Sequence, residues 1–477
     1  MSEATPMQLG SVTDMVTERI STKSLNATNY ISTENMLPNR GGITAPANIP
    51  DQRATKFKEE DTLFSNIRTY FRKVWFADRI GGASPDVIVF RSKDTNVCDS
   101  KFLYYLISSE RFIDYTVLTA KGAKMPRGDK EAMSLFEFPK VDIDDQREIG
   151  RILKTLDDKI ALNRKLNETL EGMARALFQS WFVDFDPVKA KLAALRHGRD
   201  PERACMAALS GKLRVPPGKP RPESLDEQLP SAEELDEAIA ALDGLPTTIT
   251  ESLASVATHF PADFQESELG LIPEGWEVKP FSEVCEINPR RTLKKGTSAT
   301  YVDMKAVPTS GPSVDGYYER DFTSGSKFIV GDTLLARITP CLENGKTAYV
   351  DFLKENEVGW GSTEFIVIRP KKVETSIGYF LARSDIVRTH AINNMTGTSG
   401  RQRVPSECFD SLLIAMPEET EPLDTFGNHA SSALSQIKAN SDQSRTLAEL
   451  RDTLLPKLLS GELTVGEAET KTEEALA

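Results

Sequence analysis

Two carboxylates and a lysine are the first residues whose spacing could do chemistry. Pro85-Asp86 followed by Asp99-Ser100-Lys101 resembles the acid, acid-x-Lys pattern with which nucleases hold a metal ion. The pattern is short and degenerate. At the matching place in the second half the chain reads Thr363-Glu364, with no acid-x-Lys downstream. Other catalytic signatures are missing: no Asn/Asp-Pro-Pro-aromatic tetrapeptide for amino-methyl transfer, no GxGxxG loop and no Walker A. His197, His259, His390 and His429 lie far apart without metal-ligand spacing. The five cysteines (Cys98, Cys205, Cys285, Cys341, Cys408) never form a CxxC pair and read as reduced thiols.

Residues suited to recognition are more numerous. The loop Lys121–Lys130 offers Lys121, Lys124 and Arg127, and the loop Thr396–Arg403 offers Thr398, Arg401, Gln402 and Arg403. Arginine can bond bidentately to guanine and glutamine to adenine, whereas lysine more often meets a phosphate. Gly122 and Gly400 allow close approach of the backbone. A second cluster follows a strand: Arg68, Thr69, Arg72 and Lys73, with Arg337 and Thr339 in the second half. Tyr30, Thr33 and Asn35 are further candidates for DNA contact, with Tyr301 and Asp303 at the equivalent place. The bland alternatives are solvated loops, polar strand ends and, for the tyrosines, core packing.

The positioning elements come in two copies. Phe281–Val284 matches Leu9–Val12, Tyr301-Val302 matches Tyr30-Ile31, and Asp332-Thr333-Leu334 matches Asp61-Thr62-Leu63. Phe365–Arg369 matches the strand Val87–Arg91, SIGYFLARSDIV matches the helix around KFLYYL, and MTGTSGRQRV stands where LTAKGAKMPR stood. The offsets stay between about 271 and 278, so this is a duplication with small insertions.

Each copy leads into a long helix. From Gln146 to Phe182, the residues Ile149, Ile152, Leu156, Ile160, Leu166, Leu170, Met173, Leu177 and Trp181 recur at steps of three and four, with one step of six across Asn163. Such a stripe is narrow, more a coiled-coil seam than a broad apolar face, on a rod of roughly 55 Å. In Leu434–Leu459, Ile437, Asn440, Leu447, Leu454 and Leu458 repeat it at an offset of 277. Asn163 and Asn440 put a polar residue at the same point of both seams, a device that fixes register at a cost in stability. Trp181 and Phe182 end the first helix as an apolar knob, with Leu454 and Leu458 toward the end of the second. Trp181 and Phe182 read first as core, and all four are candidates for docking a partner subunit. Pro456 should kink the second helix or mark its last turn.

Net charge of −13 argues against nucleic acid until its distribution is considered. Residues 222–270 hold twelve acids and no Lys or Arg, and 461–477 hold five Glu and one Lys. The rest of the chain carries about +3 and leaves DNA binding open. The acidic segments are expected to be a solvated linker and tail. With no run of eighteen apolar residues and no basic-then-apolar start, a cytoplasmic protein without a membrane anchor is expected.

YISTENM, LIPEGW, LFQSWFVDFDP and LRDTLLPKLLSGEL resemble the specificity subunit of type I restriction–modification systems, and the resemblance spans about residues 5–465. It implies an α+β fold: two similar α/β target-recognition domains separated by two long antiparallel coiled-coil helices, a pseudo-two-fold duplication. The expected boundaries are 1–145 for the first domain, 146–185 for the central helix and 186–270 for a partly helical, proline-rich, acidic linker. The second domain is expected over 271–420, the C-terminal helix over 421–465 and an acidic tail over 466–477.

The resemblance further implies a non-catalytic subunit that reads a bipartite, gapped stretch of double-stranded DNA. Its implied partners are two modification (methyltransferase) subunits and, in the full complex, restriction (motor–nuclease) subunits. S-adenosylmethionine is expected in the modification subunits and no cofactor in this chain. The competing readings are a nuclease using Asp86, Asp99 and Lys101, and a coiled-coil scaffold without a nucleic-acid role. The long acidic segment departs from the simplest family pattern and leaves open whether the first helix continues past Phe182.

Overall fold

The computed structural model describes residues 6–122, 124–213, 225–398 and 400–476. It divides into two compact units, one of residues 1–162 with 442–477 and the other of residues 163–441.

Unit 1 carries two four-stranded sheets. In the first, Val87–Ser92 is central, paired antiparallel with Thr13–Met15 on one side and with Thr62–Ser65 on the other, and Val74–Phe76 lies beyond Thr62–Ser65. Val87, Ile88, Val89 and Phe90 are buried on both faces, which explains their unbroken apolar run. The second sheet runs Arg19–Ser21, Arg53–Phe57, Gly81–Ala83, Tyr30–Ile31, and its last pair is parallel. Helix Ser100–Ser108 starts at Asp99, whose carboxylate accepts from the Lys101 and Phe102 amides at 2.9 and 3.0 Å. Its Phe102, Leu106 and Tyr105 pack with Phe64, Phe90 and Phe112 in the core.

Unit 2 repeats the plan. Cys285–Ile287, Phe365–Pro370, Thr333–Ala336 and Thr347–Tyr349 form the first sheet, and Tyr318–Asp321, Ser298–Val302, Gly359–Gly361 and Ser326–Phe328 the second. Tyr301 pairs parallel with Trp360, as Tyr30 does with Gly82. In each copy one buried Asp ties a turn to a strand. Asp61 accepts from the Lys58 amide at 2.8 Å and grips Arg91 with two bonds of 2.7 Å. Asp332 accepts from the Ile329 amide at 2.9 Å and from Arg369 at 2.7 Å.

Both long helices are 40 residues, Ile143–Phe182 and Glu421–Ser460, so Pro456 falls in the last turn of the second. In unit 1 the expected seam holds: Ile149, Ile152, Leu156 and Ile160 are buried with Leu447, Leu454, Leu455 and Leu458. In unit 2 it shifts. Trp181 of the expected stripe is buried and Leu170 and Leu177 pack against the core, but Leu166 and Met173 are exposed, and Ala174, Phe178 and Phe182 are buried beside the stripe, where Phe178 packs on Phe380 and Phe426. Within unit 2, Asn163 donates to the Asn440 carbonyl at 3.3 Å and Asn167 to the Ile437 carbonyl at 3.3 Å, the falling partner number of an antiparallel pair.

The segment 186–270, expected as a partly helical, acidic linker, packs as a helical layer whose helices extend through the acidic stretch. The first helix ends at Phe182, Phe185 turns the chain with a left-handed backbone (φ 57°), and helices follow at Asp186–Arg196, Pro201–Leu209, Ala232–Ala240 and Thr247–Ala257. Alanines at 190, 193, 194, 204, 207 and 208 are buried and let these helices approach closely in the core of unit 2. The acids find arginines: Asp236 binds Arg199 with two bonds of 2.7 Å, and Asp243 binds Arg203. Most of the proline-rich break, 214–224, lies outside the described residues. The expected solvated tail is likewise a helix, Val465–Leu476, with Ala468 in the core of unit 1 and Glu469 paired with Arg151.

Candidate nucleic-acid interface

The two basic loops fold into the same small hairpin. In unit 1 the Lys121 and Arg127 amides exchange bonds with each other's carbonyls at 2.8 and 2.9 Å, and Arg127 also bridges to Ile67. In unit 2 Thr396 and Arg403 exchange bonds of 2.9 and 2.8 Å, and Arg403 bridges to Ile338. The Arg68 amide bonds to the Pro126 carbonyl and the Thr339 amide to the Gln402 carbonyl, so each hairpin is laced to the strand-end cluster. Ala123 and Ser399 lie outside the described residues.

A carboxylate anchors each hairpin. Arg127 pairs with Asp86 at 2.9 Å, and Arg403 holds Glu364 through Nε and a terminal nitrogen, the closest bond being 2.7 Å. Asp86 and Glu364 immediately precede the equivalent strands Val87–Ser92 and Phe365–Pro370. Reading the loops as donor lists missed these anchors, although the Asp86/Glu364 match was present in the repeat. With Asp86 bound to Arg127 and Asp99 capping a helix, both acids of the nuclease reading have structural duties.

The remaining candidates separate by exposure. Arg68, Lys121, Lys124, Arg127, Thr398, Arg401 and Arg403 are exposed. Lys121 is joined to Asp129, and that bond holds its ammonium above the usual lysine range. Thr33, Arg72, Lys73, Arg337, Thr339 and Gln402 are half-buried. Arg72 pairs with Glu110, and Lys73 donates to the Thr33 carbonyl at 2.6 Å with its pKa lowered by burial.

Four candidates are corrected to framework by burial: Tyr30, Asn35, Thr69 and Tyr301. Asn35 spends its carboxamide on the Ser32 amide and on the carbonyls of Tyr30 and Thr44. Burial raises both tyrosine hydroxyls above the usual range. The four docking candidates, Trp181, Phe182, Leu454 and Leu458, are buried too. They serve the cores, although Phe182 also borders an apolar groove of about 320 Å³ in unit 2.

The family model for the type I restriction modification DNA specificity domain matches residues 1–172 and again 273–440. The chain belongs to that family. The specificity subunit of the type I restriction enzyme HindI, from Haemophilus influenzae, is 25% identical over 488 residues, covering 97% of this chain and 100% of the relative. That of EcoEI, from Escherichia coli, is 33% identical over 160 residues, 31% of this chain and 26% of the relative. A crystal structure of the type I restriction–modification S subunit from M. genitalium aligns over 95% of both chains at 12% identity and a TM-score of 0.49, a likeness too loose to argue from. As a specificity subunit the chain is a DNA-recognition component and not the catalyst of its system. The nuclease reading has no support among these relatives. Among the described residues no helix is long and apolar enough to cross a membrane.

Proposed function

We propose that each unit reads one half of a bipartite, gapped DNA target through its anchored hairpin. The subunit presents that target to two modification subunits, which carry S-adenosylmethionine and methylate adenine. Motor–nuclease subunits join in the full complex. The observation that carries the reading is the repeated hairpin clamp, Arg127 on Asp86 and Arg403 on Glu364, each beside exposed donors. Duplicated readers call for a two-part target. The exposed Lys124, Arg68 and Arg401 supply the positive charge that phosphates attract.

The test is an adenine methylation map of the host genome with and without this gene. A gapped two-part sequence that loses methylation on deletion is the expected result. An unchanged map, with the modification subunit shown to be expressed, contradicts the proposal and favours a scaffold role.

A further inference from the structure

At the carboxyl ends of the parallel strands Tyr30–Ile31 and Gly81–Ala83, unit 1 holds a polar cavity of about 270 Å³. Such strand ends are where α/β sheets commonly place ligands. Ser32, Thr33, Glu34, Asn48, Gln52 and Asp86 contribute to its wall, and no Lys or Arg does. The wall is built and braced: Asn35 holds the loop from beneath, and Lys73 fastens the Thr33 carbonyl. Asp86 joins the cavity to the hairpin, because Arg127 engages its Oδ1.

The charge of the wall selects the ligand. Asp86 is already paired with Arg127, so Glu34 is the wall carboxylate left to repel a phosphate and to accept from an N–H donor. On DNA that donor is the exocyclic amine of cytosine or adenine, to which Asp or Glu and Asn or Gln are the matching partners. Unit 2 puts something else on the corresponding ground. Asp303, the counterpart of Ser32, accepts the Tyr318 hydroxyl at 3.2 Å, and the Tyr318 and Tyr301 rings meet at 5.4 Å. Arg320 lies 4.7 Å over the Tyr301 ring.

We propose that this cavity is a base-discriminating subsite of the first domain, taking the amino edge of one adenine or cytosine through Glu34 and Asn48. The Asp86–Arg127 pair positions the adjoining hairpin. This rests on the half-site reading above.

The test has two arms, both on the complex assembled with its modification subunits. Methylation maps from cells carrying Glu34→Gln or Asn48→Ala should show one position of one half-site relaxed, with the other half-site and the gap unchanged. In the second arm, target DNA has the base amine deleted at each adenine or cytosine of that half-site in turn. The wild-type complex should lose roughly ten-fold in affinity or more at one position, the scale of a lost base contact. The Glu34→Gln complex should lose less there, because the contact is already weakened. Unchanged maps for both variants overturn the subsite, as does an equal loss in wild type and variant at every position. A wild-type map with no gapped sequence is a different failure, that of the half-site reading itself.

Discussion

In unit 1 the strands Tyr30–Ile31, Gly81–Ala83 and Arg53–Phe57 gain a fourth at Arg19–Ser21, on the edge beside Arg53–Phe57. In unit 2 the equivalent strands gain theirs at Tyr318–Asp321, on the opposite edge beside Ser298–Val302. The turn acids Asp61 and Asp332, the helix-capping Ser109 and Ser384 and the hairpin pairs coincide in both copies. What coincides supports the fold and holds the reader in place. What differs is the sheet edge, the strand-end cavity and the hairpin tip, which is the variation two different half-sites require.

The sharpest way to break this comparison is through the turn acids. Asp61 and Asp332 are almost fully buried, and removing either strands a turn amide and its arginine partners, Arg91 in unit 1 and Arg369 with Arg291 in unit 2. Asp61→Ala and Asp332→Ala should each cost about 3 kcal/mol, the scale for breaking a buried pair. Two matched losses in thermal melting are expected, and a near-silent change in one unit would show that the copies do not share this framework.

A second prediction concerns the helical layer that follows only the first copy. Burial pushes the Asp186 carboxyl up to about 6, against a bond from Ser180 and the nearby Lys189 that favour its charge. Between about pH 4 and 6 the folded chain keeps a proton that the unfolded chain has released. Stability from this group is therefore highest at low pH and falls as pH rises through that window. Asp186→Asn should raise the melting temperature at pH 7.5, by about 2 kcal/mol in stability, and leave it unchanged near pH 4. A variant that melts lower at pH 7.5 would contradict the sign.

The hairpin anchors should show a smaller, graded difference. Arg403 holds Glu364 through two nitrogens, whereas Arg127 meets Asp86 through one. Arg403→Ala should weaken target binding by on the order of ten-fold, and Arg127→Ala by less, both without altered melting. Equal losses would mean that the clamp geometry does not matter.

Much of this was legible in the chain. Offsets of 271 to 278 aligned the two copies because each turn acid, strand and hairpin is local in sequence. The hairpin anchors were not, since Asp86 and Arg127 are brought together only by the fold. Asp99-Ser100-Lys101 looked like part of a metal site, yet an Asp before a helical run is also an N-cap, and that is its role. The acidic stretch looked like a linker because its acids are conspicuous and its core residues, Leu235, Leu242, Val256 and Phe260, are few and widely spaced. Leu166 and Met173 fitted the seam by spacing, but in unit 2 the inward face is centred on Ala174, Phe178 and Phe182 beside the stripe, which leaves these two at its exposed margin.

The most direct test of two independent readers is an adenine methylation map from cells whose chain carries Arg401→Ala with Gln402→Ala, set beside the wild-type map. Both side chains belong to the unit 2 hairpin, outside the Arg403–Glu364 clamp. The expected result is that letters of one half-site relax while the other half-site and the gap stay as they were. Changes in both half-sites, or in neither, would contradict the account.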